Sequence, residues 1–542
     1  AGSDTTGTGE IGSTFASIAA ALNWSGDGHT INVGPGTYFE HLEITHDISL
    51  IGTDGPATTI ISGNDPEHQN GTVRLIHLNN VGPDGQIDGE TLIDGFTLRD
   101  NYGGGIQTYA PSGAVTFSNL IIENNKVVNT GGGMLLALID IDGQYHINDV
   151  TISENIGGRA GGGIYLARAG EVNMTNCTIS NNRTENAMAS SPQGGAGIYI
   201  STDYSGTTTL NLSDVTISGN VIEAESVSGV GAGIWNEDAS YGSSIVMNGG
   251  TIEGNINNSE TPDGSAIASY GQIVINDASI TNNTGGNVIT IYPTSGSSLA
   301  LTNTNIEFNS TTVSVINLYT VGSSNSLTNV KIANNDLQNS IYPVLSFRGS
   351  ALTMDRVELT DITSSTHSLY LHSTPAIITN STFSNLGNSP VIWLTSGSSI
   401  DLLNSIVWSD GQEHPEIQTH YDEGVPVVTI SYSDIDGGES GVDTQDYGIL
   451  NWGEGNINAD PQFLDAANDN YSLIATSPCI NSGDPLSDLD PDNTTADMGA
   501  YYYHNEYTGP DWYVDQVAGS DTTGTGEIGS TFASIAAALN WS

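Results

Sequence analysis

The sequence predicts an all-β fold, a solenoid of three stacked parallel sheets closed at its N-terminal end by a short helix. Three observations predict this fold. The motif apolar-x-x-Asn recurs nine times between residues 98 and 335, at spacings from 24 to 38 residues. A glycine-rich run ending in an apolar residue follows each motif, and an alternating strand ending in Asn or Asp comes before most of them. Three short strands per period, separated by recurring turn residues, are typical of one coil of a β-solenoid.

The one convincing helix lies in the cap at residues 1–25. Apolar residues from Phe15 to Leu22 form a single stripe at helical spacing, and Ser13 or Thr14 is a suitable N-cap. We expect this helix to cover the open first edge of the sheets, since exposed edges invite aggregation.

The asparagines of the recurring motif are predicted to form a structural ladder. Residues at the same position of successive coils lie about 4.8 Å apart along the axis. Each Asn is expected to sit at a bend with left-handed backbone and to bond the Asn above and below it. The rung becomes Ile362 and then Leu386, which suggests that something packs on that corner. The ladder consists of Asn101, Asn125, Asn155, Asn182, Asn220, Asn255, Asn283, Asn309 and Asn335.

A duplicated segment determines the predicted domain organisation. Residues 1–25 recur letter for letter at 518–542, so we expect one unit of a tandem array, about 517 residues long, plus the opening of the next. An artificial overlap is the alternative, and it also implies an array. The predicted parts are a cap at 1–25, first coils at 26–95, regular coils at 96–430, an acidic closing module at 431–510, and the strand and cap of the next unit at 511–542.

Polar insertions interrupt the longest coils. They either build a binding surface on one face of the solenoid or are neutral loops, because long loops cost little entropy. The insertions lie at 184–194, 202–208, 221–230 and 256–264.

Composition excludes several partners. The chain has nine Lys and Arg against 61 Asp and Glu, a formal net charge of −52. Such a surface repels nucleic acid and anionic membranes. No 18-residue apolar run is present, so no membrane span is predicted. Cys177 and Cys479 are predicted to be buried and unpaired.

Seven segments carry a resemblance to known proteins: 34–38, 460–463, 477–481, 496–501, 512–515, 518–521 and 532–535. They resemble parts of secreted bacterial or archaeal right-handed parallel β-helix proteins. Other parts of the coil pattern are similar to polymorphic outer-membrane repeats. The resemblance implies a right-handed parallel β-helix at an extracellular or cell-surface location. It does not decide between lyases, hydrolases, adhesins and surface proteins, which all use this fold.

The sequence contains candidate residues for two kinds of catalytic site, a polysaccharide lyase site and a glycosidase site. Lys126, Arg159 and Arg183 lie just past ladder positions and are the best available set for a polysaccharide lyase, although the net charge would repel polyuronates unless calcium bridged them. A glycosidase needs two carboxylates roughly 5 to 10 Å apart. The pairs that could supply them are Asp140 with Asp142 and Asp203 with Asp238.

Alternating carboxylates in the tail predict a calcium-binding turn, because calcium takes hard oxygen ligands from odd positions of a loop. The turn departs from an EF-hand loop: Asn493 replaces the glycine, and no Glu closes it. A weaker candidate combines Asp434, Asp436 and Glu439. The predicted ligands are Asp484, Asp488, Asp490, Asp492 and Asp497.

The leading hypothesis is a non-catalytic structural unit of a giant extracellular surface protein, such as a stalk, fibre or adhesin shaft, stabilised by calcium. Its expected partners are neighbouring copies of the unit. A polysaccharide or another cell surface is a further candidate partner. The alternative is a β-helix enzyme or binding module for acidic polysaccharide, working along the face that carries the insertions at 184–264. An enzyme should show Lys126, Arg159 and Arg183 converging on a groove, whereas a shaft should not.

Overall fold

The structure is a computed structural model. It describes all residues except 1, 65–72, 80–86, 110–112, 138–142, 186–192, 202–205, 224–227, 241, 320–322, 338–339, 363–365, 388–389, 410–413, 505–512, 515, 518, 521–530 and 536–542.

The chain forms a right-handed parallel β-helix, which confirms the predicted fold class. Its coils present three faces, here called A, B and C in chain order. Faces A and B join into one 28-stranded sheet, because three strands run continuously around the corner between them. Face C is a separate sheet of 15 parallel strands.

Face A alternates inward apolar and outward polar residues. Its strands are His29–Val33, Ile48–Gly52, Glu90–Asp94, Ala114–Ser118, Gln144–Asn148, Gly170–Thr175, Thr208–Ser213, Ser244–Asn248, Gln272–Asn276, Pro375–Thr379, Ser399–Leu403, Val427–Ser431 and Ile449–Trp452. The strands shared with face B are Ser298–Glu307, Ser324–Ala333 and Ala351–Thr360.

Face B carries the apolar residue of the recurring motif, which points inward. Its own strands are Gly36–Tyr38, Thr59–Ser62, Thr97–Arg99, Ile121–Glu123, Thr151–Ser153, Thr178–Ser180, Thr216–Ser218, Thr251–Glu253, Ser279–Thr281, Thr382–Ser384, Ile406–Trp408 and Asp434–Ile435.

Face C follows the glycine-rich runs. Its strands are Leu42–Ile44, Ile76–Asn79, Ile106–Tyr109, Met134–Ala137, Ile164–Ala167, Ile198–Ser201, Ile234–Asn236, Ile267–Ser269, Ile289–Ile291, Ile316–Tyr319, Leu345–Arg348, Leu369–His372, Ile392–Thr395, Ile417–His420 and Val442–Asp443.

Short strands occupy the corner between faces B and C, and three more come from the insertions. The corner strands are Lys126–Val127, Ile156–Gly157, Arg183–Thr184, Val221–Ile222, Ile256–Asn257, Thr284–Gly285 and Ser310–Thr311. The insertion strands are Gln193–Gly194, Gly229–Val230 and Pro262–Asp263.

Columns of identical residue type fill the interior. Ile152, Ile179 and Ile217 pair in register on face B, and all three are fully buried. Such stacking buries each apolar side chain against the coil above and the coil below, so the core grows along one axis without widening.

Left-handed backbone occurs at the corners, but not at the ladder asparagines themselves. The residue before the ladder Asn adopts it, as at Asn124 (φ 52°) and Asn181 (φ 55°). The expectation that the ladder residues are left-handed is therefore wrong. The turn is made one residue earlier, which lets the ladder side chain point inward to the next amide. At the corner between faces A and B, Asn119 (φ 49°) and Asp149 (φ 55°) make the turn.

The N-terminal helix is shorter than the sequence pattern suggests, spanning Ile18–Trp24. Its N-cap is Ser17, whose side chain accepts a hydrogen bond from the Ala20 amide at 3.2 Å, so Ser13 and Thr14 do not cap it. The Glu40 carboxylate accepts from the first two helical amides, which otherwise lack partners. Ile18 and Leu22 are buried in the main core. The helix thus covers the first coil.

The coils extend to Trp452, past the predicted limit of 430, because Val427–Ser431 and Ile449–Trp452 still pair in parallel register. A 3-10 turn, Gly438–Gly441, lies within the last coils. Beyond the coils come the antiparallel strands Phe463–Asp465 and Asn470–Leu473, joined by the 3-10 turn Ala466–Asn468.

The residues after the last coil fold back along the outside of face B. Cys479, Leu473 and Met498 form a small buried cluster with Ile406. The Ala500 amide donates to Thr382 Oγ1 at 2.9 Å. Of the predicted acidic closing module at 431–510, residues 460–504 pack in this way, and the term closing module is used below for these residues alone. It packs against the side of the β-helix and leaves Cys479 as a free buried thiol, like Cys177 on the coils.

The apolar rungs Ile362 and Leu386 belong to the core of the coils and not to the small apolar cluster of the closing module. Both are buried in the main core, so they extend the interior in place of the ladder. No helix in the described residues is both long enough and apolar enough to cross a membrane.

Candidate functional site

The asparagine ladder uses its amides fully within the fold. Asn220 Oδ1 accepts from the backbone amide and from Nδ2 of Asn182, both at 3.0 Å. Asn220 Nδ2 donates in turn to Asn255 Oδ1 and to the Ile179 carbonyl, both at 2.9 Å. The same pattern runs from Asn125 to Asn335, and every rung is buried. Such amides have little capacity left for a ligand.

The first rung is bonded differently. The Asn101 backbone amide donates to Asn125 Oδ1 at 3.2 Å, while its Nδ2 donates to the carbonyls of Val73 and Gly104. The side-chain amide of the first rung is therefore bound to backbone carbonyls and not to another asparagine side chain.

The three basic residues of the lyase hypothesis do not share one site. Lys126 and Arg183 occupy the same corner column, separated by Ile156. Lys126 Nζ lies 2.7 Å from Glu185, and Arg183 Nη1 lies 2.9 Å from Glu223. Arg159 lies further along its coil, where its backbone amide donates to Asn129. The geometry gives two partly exposed ion pairs rather than a convergent cationic groove.

The described parts of the insertions cover a column of aromatic rings on the outside of face C. Tyr165, Tyr199 and Trp235 stand at matching positions of three successive coils and are each 4% to 5% exposed. The rings of Tyr165 and Tyr199 stack at 5.0 Å. Trp235 leaves no room for a Cβ at Gly194 of the insertion sheet. These insertions therefore build a second, smaller core. Residues 186–192, 202–205 and 224–227 of the insertions lie outside the described part.

Asp263 fastens the insertion sheet to face C. Its carboxylate accepts from Asn287 Nδ2 at 2.6 Å and from Thr290 Oγ1 and Tyr292 Oη at 2.5 Å. Burial raises the pKa of Tyr292 and the Asp263 charge raises it further, so the phenol remains a donor. This cluster is not among the predicted sites, although the Ile-Tyr and Ile-Trp pairs that begin successive face C strands indicate the column.

Of the proposed glycosidase carboxylates, the structure describes only Asp238. It accepts from Ser243 Oγ at 2.5 Å and from the amides of Ser240 and Ser243, which is a turn-stabilising role. Asp140, Asp142 and Asp203 lie outside the described residues.

A cavity of about 350 Å³ lies at the corner between faces B and C in the last two coils. We call it the corner cavity. Glu416 is its most unusual residue, only 2% exposed and in backbone register with Val391 on one side and Gly441 on the other. The coils thus place an ionisable side chain where neighbouring coils have small or apolar residues. The lining residues are His414, Pro415, Glu416, Asp436, Gly437, Ser440, Gly441 and Asp443.

Burial raises the pKa of Glu416 to about 8, and the nearby Asp436 carboxylate contributes. Ser409 Oγ donates to Glu416 Oε2 at 2.7 Å, which opposes part of the shift. A protonated carboxylic acid beside a second carboxylate has the composition of an acid–base pair. Glu416 is not among the predicted site residues, because only the register of the coils shows that it stands between Val391 and Gly441.

The predicted calcium ligands are used as turn acceptors. Asp490 Oδ2 accepts from the Asp497 amide at 2.8 Å, and Asp492 Oδ1 accepts from the Thr494 amide. Asp497 accepts from the amides of Asn481 and Tyr503, and burial raises its pKa to about 6. The described residues contain no group of three or more acidic, His or Cys side chains arranged to hold a metal ion.

Two further members of the predicted calcium sets, Asp484 and Asp434, also accept hydrogen bonds within the fold. Asp484 Oδ1 accepts from the Leu486 amide at 2.9 Å. Asp434 is fully buried, where it accepts from the Ala459 amide and Cys479 Sγ. Calcium binding by Asp484, Asp488, Asp490, Asp492 and Asp497 stays a prediction.

A polar network holds the closing module on face B. Lys331 Nζ lies 2.7 Å from Asp469 of the module and within 4 Å of Glu307 and Glu358 of the coils. Tyr501 of the module also donates to Glu358. Because Lys331 faces three carboxylates, it supplies the compensating charge of this contact.

Where the structure describes both copies of the duplicated segment, they share a local backbone contact. The Ser3 amide donates to the Thr14 carbonyl at 2.9 Å, and the Ser520 amide donates to the Thr531 carbonyl at the same distance. In the second copy, Val514 additionally forms a parallel bridge with Phe532.

Comparisons with known proteins add little beyond fold. No family profile matches this chain, and no curated protein matches it. Among solved structures, the crystal structure of pectate lyase Pel9A is similar over 92% of this chain and 94% of that chain, with 12% identity and a TM-score of 0.30. The activity in that name belongs to that protein.

Proposed function

We propose that this chain is a structural, non-catalytic unit of a tandem array of β-helices on the cell surface or outside the cell. The observation that carries the proposal is the segment 1–25, repeated without change at 518–542. The described residues of both copies hold the same backbone hydrogen bond, from Ser3 to Thr14 and from Ser520 to Thr531.

The interior chemistry supports a load-carrying rod. Stacked isoleucines and buried amides join each coil to the next, so a force along the axis is shared by many parallel contacts. Lys126 and Arg183, the basic residues that a lyase would need, are held in ion pairs with Glu185 and Glu223. The charge of −52 suits saline surroundings and bound cations such as calcium.

Sequencing the coding region on both sides of this segment tests the array. We expect the residues before Ala1 to match those that end at Gln516 and Val517, and the residues after Ser542 to continue like Gly26 and Asp27. Antibodies against the unit should label intact cells. Unrelated flanking sequence on both sides, or label only after cell lysis, would contradict the proposal.

A second candidate function is the binding or cleavage of a polysaccharide at the corner cavity. Glu416 with its raised pKa beside Asp436 favours it, since glycoside hydrolysis uses an acid and a second carboxylate. Purified protein would be incubated with alginate, pectin, chondroitin and neutral glycans, with and without calcium, while reducing ends and unsaturated products are measured.

Single-residue variants distinguish the three candidate functions: a hydrolase, a lyase and a structural unit. Product release that Glu416→Gln abolishes and Lys126→Ala leaves intact would support a hydrolase at the corner cavity. Release that requires Lys126 and Arg183 instead would support a lyase. No release above the buffer blank leaves the structural unit as the function.

A further inference from the structure

The duplicated segment occurs in two environments within this one chain, and the difference between them concerns a single phenylalanine. In the second copy Phe532 is fully buried. Its backbone amide donates to the Tyr513 carbonyl at 3.1 Å, and Val514 pairs with it in parallel. In the first copy the identical residue, Phe15, is partly exposed, and no described residue forms a β-bridge with it.

Only one edge of the Phe15 segment is open. Its other edge is taken by residue 3, because the Ser3 amide donates to the Thr14 carbonyl. The second copy uses the equivalent edge in the same way, through Ser520 and Thr531. Its remaining edge is the one that receives Val514.

The cap that carries the open edge also exposes apolar side chains. Trp24 is 70% exposed and packs on Phe15 with ring centroids 6.2 Å apart. Ile11 is also exposed. An unpaired edge flanked by apolar surface is a template for strand addition.

We infer that the open edge of Phe15 is a docking site for a β-strand, and that its occupant is the strand equivalent to Tyr513–Val514 supplied by a preceding copy of the unit. The inference rests on the proposed tandem array. In the second copy this strand ends four residues before the duplicated segment begins at 518, so a preceding copy would present it at the same spacing. Each unit would then complete the cap of the next through backbone hydrogen bonds.

The test extends the full chain at its N-terminus with the eight residues of 510–517, placed directly ahead of Ala1. A matched control carries the same extension with Gly-Pro in place of Tyr-Val. All proteins carry Ile11→Val at the exposed position 11, so that peptides of the two copies differ in mass. Amide hydrogen exchange by mass spectrometry is read on the Phe15 peptide, with the Phe532 peptide as internal reference.

We expect the extension to slow exchange of the Phe15 peptide at least tenfold, to the level of the Phe532 peptide, and the Gly-Pro control to leave it fast. Equal exchange in the extended, control and unextended proteins would overturn the inference. The array itself is tested separately by the flanking sequence. A correct flanking sequence without protection would therefore refute the docking site alone.

Discussion

Asn220 illustrates at one position how the ladder stabilises the fold. Its amide accepts two hydrogen bonds from Asn182 and donates to Asn255 and to the Ile179 carbonyl. Because all of these atoms are buried, truncating one rung leaves several polar groups without partners and without water. An unsatisfied buried polar group costs about 1–3 kcal/mol.

We expect Asn220→Ala to reduce the free energy of unfolding by about 2–4 kcal/mol, since both neighbouring rungs lose a partner. Asn276→Ala is the matched control, because the Asn276 side chain donates to Asn248 at the surface. The control should cost less than about 0.5 kcal/mol. Urea unfolding monitored by circular dichroism measures both, and equal losses would contradict the account of the ladder.

The raised pKa of Glu416 predicts that the free energy of unfolding depends on pH. Its pKa is raised from 4.5 to about 8 in the folded state, so the folded protein holds a proton that the unfolded chain has released. The corresponding stability is fully present below pH 4.5 and is lost as the pH rises through about 8. The contribution at stake is on the order of 3–5 kcal/mol.

Glu416→Gln keeps the neutral shape and removes the titration. We expect the variant and the parent to be similarly stable at pH 4, and the variant to be more stable at pH 9. The urea concentrations at the midpoint of unfolding, measured for both proteins at pH 4, 6 and 9, test this prediction. Parallel pH profiles for the two proteins would show that Glu416 does not hold this proton.

At the scale of elements, the closing module is attached by side-chain chemistry rather than by coil pairing. Lys331 faces carboxylates from both the coils and the module. Replacing it leaves Glu358, which is 2% exposed, next to Asp469 with no compensating charge.

We expect Lys331→Met to release the module while the coils stay folded. Amide exchange in residues 466–503 should rise at least tenfold, whereas exchange in Ile164–Ala167 stays unchanged. Lys126→Met serves as control, because Lys126 pairs with Glu185 at the exposed corner. A uniform rise over the whole chain, or none, would show that the module is not held by this network.

The sequence made the coils predictable but not the contacts between distant elements. Ile152, Ile179 and Ile217 repeat at coil spacing, and repetition alone places them in one column. Lys331 and Asp469 are 138 residues apart and share no local pattern, so their contact could not be predicted. The helix start was misplaced because Ser13, Thr14 and Ser17 are all suitable caps, and only the packing of Ile18 on the first coil selects Ser17.

At the scale of the whole molecule, the fold is a rod. Its 15 face C strands at about 4.8 Å per coil give a length of about 70 Å. One end carries the helical cap, whose other side presents Phe15 and Trp24. After the closing module, the chain leads through residues 513–514 into a second copy of that cap. A rod that is followed in the chain by a second copy of its own cap is suited to repetition in tandem.

Electron microscopy of a chain holding two full copies in tandem, residues 1–517 twice, tests the central claim most directly. If the units form one structural array, each particle should be a single stiff rod, about 140 Å long or slightly more, with a narrow distribution of angles at its middle. Pairs of separate 70 Å bodies joined at widely varying angles would contradict the account.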